Sequence, residues 1–246
     1  MRLLWDQTGE KLYETGTDRG VIYNKVLENK QGFGNGAAWN GLTAVTISPS
    51  GAEPTDLWAD NQKYLTMRSA EEVGGTIEAY TYPDEFAVCD GSAMPADGVI
   101  IGQQARRSFG FCFRSLVGND VAMNDYGYKL HLLYNCTVSP SEKSYATVND
   151  SPEAITFSWE LKTVPVGVSV IDPETGAPYK ATASLEIDST RLSAEKKAIL
   201  TQLEEILNGT DTVEPRMPLP DEVLGMFMDT NNSGGGGGTG GDPGNG

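Results

Sequence analysis

The 246-residue chain carries 34 acidic and 18 basic side chains, a formal net charge of −16. That balance argues against tight nucleic-acid binding, which Lys and Arg drive by neutralising phosphates, and against an anionic membrane surface as partner. The length suits one large all-β domain or two small ones, with enough chain to bury a core without staples.

In chain order, Lys11 to Thr15 and Val21 to Tyr23 are short β-rich pieces around Gly16 and Gly20, a weak hairpin pattern. Gln31-Gly32-Phe33-Gly34-Asn35-Gly36 reads as a flexible turn. It lacks the strand–helix setting and GK[ST] of a phosphate loop. A strand is expected over residues 39–47, with Trp39, Thr43, Val45 and Ile47 on one face. A second strand is expected at 76–82, ending before Pro83. Between them lies a polar, Pro/Gly-punctuated arm over 48–72, far longer than the usual hairpin loop of about 2–5 residues. It also holds Leu57, Trp58, Tyr64 and Leu65, too apolar for a free linker. The arm is therefore expected to dock on something.

Residues 83–97 read as a loop with one helical turn at 84–88. Clear strands follow. Phe109, Phe111 and Phe113 alternate with Gly110, Cys112 and Arg114. Tyr128, Leu130, Leu132 and Tyr134 alternate with polar Lys129, His131 and Asn135. A turn region over 118–125 separates these two. Ile155, Phe157, Trp159 and Leu161 alternate, as do Ala181, Leu185 and Ile187, with a turn at 172–176 between. Such alternation predicts one apolar and one wet face, as in antiparallel sheets. One helix is expected over 193–208. Ser193 caps it, Glu195 suits the dipole, Ile199, Leu203, Ile206 and Leu207 form its stripe, and Asn208-Gly209 close it. A proline-punctuated arm over 210–228 follows, in which Asp221 could cap a short turn. Its Met217, Leu219, Leu224, Met226 and Phe227 should lie against their own domain or a neighbour. Residues 229–246 form a glycine-rich tail, expected to be disordered. A displayed tail, an engineered linker and a dispensable extension are all compatible with it.

No catalytic or metal signature is found. GxSxG, HExxH and Walker sequences are absent. His131, the single histidine, falls on a polar strand face, where a solvated or hydrogen-bonded role is expected. Asp84 and Glu85 near Asp90 are the best carboxylate cluster, without EF-hand spacing. Arg106-Arg107 is a basic spot in an acidic chain, expected to pair with acid at an interface. Cys89, Cys112 and Cys136 have no zinc spacing and suit small buried hydrophobes in a reducing cytoplasm. The first six residues do not open a signal peptide, and no apolar run approaches the ~20 residues of a membrane span. No cofactor, metal or enzyme activity is expected.

The ordered series Trp39-Asn40-Gly41-Leu42-Thr43, Ser48-Pro49-Ser50-Gly51-Ala52-Glu53, Ala59-Asp60-Asn61-Gln62-Lys63-Tyr64 and Ile77-Glu78-Ala79-Tyr80-Thr81-Tyr82-Pro83 resembles the major tail proteins of long-tailed, non-contractile bacteriophages. Ile101-Gly102-Gln103-Gln104, Asp125-Tyr126-Gly127-Tyr128 and the stretch from Tyr145 to Glu160 agree. The series as a whole carries the resemblance, across about residues 5–228.

The resemblance implies a mainly β, antiparallel β-sandwich over 1–228 with one flanking α-helix and a long inter-strand arm. Subunits would form rings, sixfold as a rule, stacked into a tail tube through which double-stranded DNA passes without sequence-specific binding. The arm would reach a neighbouring ring through Pro49, Glu53, Leu57, Trp58, Asp60, Asn61 and Tyr64. Arg106, Arg107, Met217 and Leu219 are candidate subunit contacts. Partners would be other copies of itself, a tape-measure protein and tail terminator and distal tail proteins, all assembled in a host bacterial cytoplasm into the virion. An acidic lumen would repel DNA. The alternative is a β-sandwich binding or decoration module on a virion or cell surface.

Overall fold

The computed structural model describes residues 2–25, 32–148 and 154–228. The expected glycine-rich tail at 229–246 therefore lies outside the described residues. The chain folds into two antiparallel sheets and a helical layer. The first sheet is ordered β2 (Phe33–Trp39), β1 (Tyr13–Lys25), β9 (Phe109–Asn119), β10 (Met123–Val138), with β12 (Ser184–Asp188) on the far side of β10. The second is ordered β11 (Phe157–Lys162), β6 (Glu71–Ala79), β3 (Leu42–Gly51). The sixteen-residue β10 belongs to both: it pairs β9 and β12 along the first sheet, then β11 through Thr137↔Lys162 and Val138↔Leu161.

The main core lies between the sheets. Trp39, Phe86, Phe109, Phe111, Ile77, Trp159 and Leu161 are buried there. Trp39 and Trp159 meet edge-on at 5.6 Å, and Phe86 sits 4.6 Å from Trp39 and 5.1 Å from Trp159. Each such side chain contributes about 1.5–3 kcal/mol by leaving water. Phe86 comes from the expected helical turn, a 3-10 stretch Asp84–Phe86 running into α1 (Ala87–Asp90). A second core covers the opposite face of the first sheet. There Tyr23, Cys112, Leu132 and Tyr134 pack under Leu200, Leu203 and Leu207 of α2 (Ala194–Asn208) and Val223 of α3 (Pro220–Phe227).

Several expectations change. The single run over 39–47 is two strands. β2 ends at Trp39 in the first sheet and β3 begins at Leu42 in the second, so Asn40-Gly41 is the corner between layers. Gly41 adopts φ 73°, and its carbonyl accepts the Tyr80 N–H at 2.8 Å. A bulge between Leu42 and Ala44 breaks the expected face, leaving Thr43 exposed and Val45 half-buried. The turn expected at 31–36 is, from Phe33 onward, strand β2, because Phe33 is buried against Tyr134 and pairs with Lys25. The wet face expected on β9 is dry from Phe109 to Phe113. Helices and the 210–228 arm cover it: a Cβ on Gly110 would fall 2.5 Å from Met217 Sδ. Just before β12 the buried alanine is Ala183; Ala181 is exposed.

Helix α2 forms as its caps dictate. The Ser193 hydroxyl accepts the Lys196 N–H at 3.3 Å, and Gly209 closes the helix at φ 75°. α3 has Leu219 at its N-cap and Pro220 in its first turn, so Asp221 is not the cap. Its carboxylate instead accepts the Ser169 N–H at 2.8 Å and hydroxyl at 2.6 Å, which holds its pKa down.

Candidate assembly surfaces

The 48–72 arm is a two-storey hairpin. Its lower storey continues β3 and β6, paired from Ser48↔Gly74 to Gly51↔Glu71. Its upper storey is β4 (Pro54–Ala59) and β5 (Gln62–Arg68), which among the described residues pair only with each other. The tip turn is Asp60-Asn61, with φ 51° and 61°. Asp and Asn tolerate left-handed backbone, and two such residues match the twist of a tight hairpin. This is why so long an insertion is ordered strand and not loop.

The register sorts the tip into two faces. Thr55↔Met67 and Leu57↔Leu65 share one face, and Asp56↔Thr66 the other. On the polar face Asp56 accepts the Thr66 hydroxyl at 2.6 Å and pairs with Lys63 at 2.7 Å. Lys63 first, then Thr66, lower its pKa. Leu57, Leu65 and Met67 are exposed, as are Trp58 at 68% and Tyr64 at 70%. Among the described residues nothing packs beneath these large side chains, which makes the tip a candidate contact surface.

Below the arm lies a sheet edge, along β3, that no other described strand pairs. The Val73 carbonyl accepts the Thr163 N–H at 3.2 Å and hydroxyl at 2.6 Å, so β6 faces β11 at that residue. Its partner Pro49 therefore faces outward, where a missing N–H costs nothing. Alternation turns the backbone of Val45 and Ile47 outward too. The outer edges of the first sheet are partly covered. Gly36 N–H donates to the Pro215 carbonyl and Met217 N–H to Phe33, both at 3.1 Å, covering β2. On β12 the Tyr134 N–H bonds Ala183, so Ser184 faces outward. The Thr182 hydroxyl donates to the Ser184 carbonyl at 2.7 Å and accepts its N–H at 3.3 Å.

The other predicted residues are scattered. Pro49 lies on the free edge, Glu53 at the joint between storeys, and Leu57, Trp58, Asp60, Asn61 and Tyr64 at the tip. Arg106 and Arg107 are exposed beside α1: the Arg107 N–H donates to the Val88 carbonyl at 3.2 Å, and Arg106 Nη1 to the Val138 carbonyl at 3.2 Å. Met217 is buried at 1% and Leu219 packs on the same core, so these two apolar residues serve their own fold and Met217 is out of a neighbour's reach. A hairpin that sequence reasoning missed, β7 (Ala93–Ala96) with β8 (Val99–Ile101), exposes Met94, Val99, Ile100 and Ile101. The signal was the apolar run between Gly98 and Gly102.

His131 is buried, not solvated. It stacks on Phe113 at 4.5 Å, and Nε2 shares a hydrogen bond with the Ser115 hydroxyl at 2.8 Å. Burial lowers its pKa, against the pull of Glu186. Lys129 bridges Glu14 and Glu186 beside it. Asp90 is buried against Trp159, apart from exposed Asp84 and Glu85. All three cysteines are free and buried, and burial raises the Cys89 thiol to about 12. Among the described residues no three His, Cys, Asp or Glu side chains are placed to hold a metal, and no helix is long and apolar enough to cross a membrane.

No protein-family model matches the chain, and no curated protein matches its sequence. Among solved structures, a chain of the sixfold-symmetrised cryo-EM structure of the anti-feeding prophage (AFP) baseplate is 8% identical, at a TM-score of 0.34, and the match covers 78% of this chain and all of that one. That likeness is too slight to argue from.

Proposed function

We propose that this protein is a structural subunit of a phage tail tube, polymerising with copies of itself into stacked rings and catalysing no reaction. The observation that carries the reading is the arm. A sandwich with two filled cores has no internal use for a hairpin whose Leu57, Trp58, Tyr64, Leu65 and Met67 stand in water. The free β3 edge supports the same reading, since unpaired backbone is completed by a strand from a second copy. These are two different surfaces, as heterologous contacts within and between rings require. A ring of such edges, joined, encloses a channel. The outer face of the second sheet carries Glu78, Thr76, Ser158 and Glu160, and a polar wall with net acidity would let DNA pass without gripping it. Heterologous stacking is open-ended, so tube length would be set by a tape-measure protein and a terminator, with the tail in the virion as the final location.

Replacing 54–68 by Asn-Gly tests this. The variant should remain folded, with an unchanged melting temperature, and concentrated samples should show no tubes by negative-stain microscopy where the parent shows them. Tubes formed by the variant remove the arm from the assembly. A parent chain that stays monomeric in light scattering at high concentration favours the binding or decoration module.

A further inference from the structure

After β10 the chain runs through 139–148 without regular secondary structure. The Ser139 N–H starts it along β11, donating to the Glu160 carbonyl at 2.9 Å. Four residues on, Lys143 points its ammonium inward. Nζ lies 3.2 Å from Asp90 Oδ2, 5.3 Å from the Tyr82 ring centroid and 5.8 Å from that of Phe157. Asp90 is held in advance to receive it. Its side chain is 7% exposed, and Oδ1 accepts the Trp159 Nε1–H at 3.2 Å. Trp159 is locked in turn by Tyr82 at 5.4 Å and Phe157 at 5.8 Å. One carboxylate oxygen is thus occupied by the fold and the other is aimed between two aromatic faces.

We propose that Tyr82, Phe157 and Asp90 form a cage for a primary ammonium group, that Lys143 is its resident ligand, and that this plug fastens 139–148 to the sandwich. Aromatic faces and a desolvated carboxylate both favour a cation there. Burial opposes the charge on Lys143, but Asp90 and Tyr82 outweigh it, and the pKa is raised. Among the described residues little else holds the strap. Tyr145 and Val148 just beyond are 75% and 80% exposed, and the buried Ser141 hydroxyl has no hydrogen-bond partner among the described residues. The cage stands on its own geometry, independent of tube formation.

Limited chymotrypsin digestion of the full chain reads the fastening through cleavage after Tyr145. Lys143→Met keeps the stem and removes the charge. It should cleave faster by roughly five- to thirtyfold, the factor that one or two kcal/mol makes in an opening equilibrium, with Lys143→Arg in between. An unaltered rate in Lys143→Met overturns the proposal. The cage itself is read from the Trp159 indole 1H–15N resonance in Lys143→Ala. Adding n-propylammonium should shift it saturably toward the parent position, and the double variant with Asp90→Asn should not respond. No saturable shift, or an equal shift with n-propanol, overturns the cage. Because Lys143→Met also leaves the Asp90 carboxylate without its charge partner, each variant is digested well below its own melting temperature.

Discussion

Trp159 and Trp58 are both strand tryptophans, and they stand in opposite surroundings. Trp159 is fully buried, ringed by Trp39, Tyr82, Phe86 and Phe157. Trp58 is 68% exposed on a ribbon two strands wide. The difference is one of layers. β11 lies in a sheet with a second sheet across from it, whereas β4 and β5 have left the sandwich. A two-stranded ribbon alone is marginal in water, and this one is held by its tip turn, the Asp56–Lys63 pair and the ladder beneath it. Apolar residues in the core therefore account for the fold, and those in the arm stay exposed among the described residues, where the proposed contact with a second copy would cover them.

Four measurements break or sharpen that contrast. The largest effect is expected at Trp159→Ala, which opens the aromatic cluster and strands Asp90; it should cost about 3–5 kcal/mol in urea unfolding. A loss under 1 kcal/mol would mean that the centre of the sandwich lies elsewhere. Next, Gly75→Ala places a Cβ 2.1 Å from the Thr46 carbonyl, where β3 and β6 close up. It should lower stability by about 1–3 kcal/mol, measured by the same titration; a neutral result would contradict that close approach.

The third effect is on pH dependence. His131 has a folded pKa below the ordinary value of about 6.5. As pH falls through that value the unfolded chain takes up a proton and the folded chain does not. The His131 contribution is thus present above about pH 6.5 and is lost as pH falls toward the folded pKa. The parent should lose more stability between pH 7.5 and 5.5 than His131→Gln; equal losses would remove His131 as the cause. The smallest effect on folding is expected at Trp58→Ala, within about 0.5 kcal/mol, although tube formation should fail. A large loss of stability there would make the arm part of the core.

Much of this was legible in the residues. Period-two runs at 109–113, 128–134 and 157–161 became strands β9, β10 and β11, and the Ser193 and Gly209 caps bounded α2 within a residue. What alternation cannot reveal is a second cover. Gly110 and Cys112 look like a wet face because small residues are ambiguous, and only the packing of Met217 and the helices resolves them. The 39–47 run hid its corner because Asn40-Gly41 interrupts the pattern for only two residues. The arm's apolar content was visible, but its order was not, because Ser48-Pro49-Ser50-Gly51 has the composition of a loop. The strand continues there because Pro49 falls where no N–H is needed. Of the two roles expected for His131, solvated or hydrogen-bonded, it takes the second: it bonds Ser115, and Phe113 on the adjacent strand covers it.

The joint between the arm's storeys has a mechanical meaning. Both strands are interrupted at the same height, at 52–53 and at 69–70, with Gly51 and Ala52 at φ 83° and 56°. A tip mounted this way can tilt without shearing the rungs above or below it. If the tip grips a neighbour while the base stays with its own sandwich, each such joint acts as a knuckle, and a stack of many could curve while every grip stays closed.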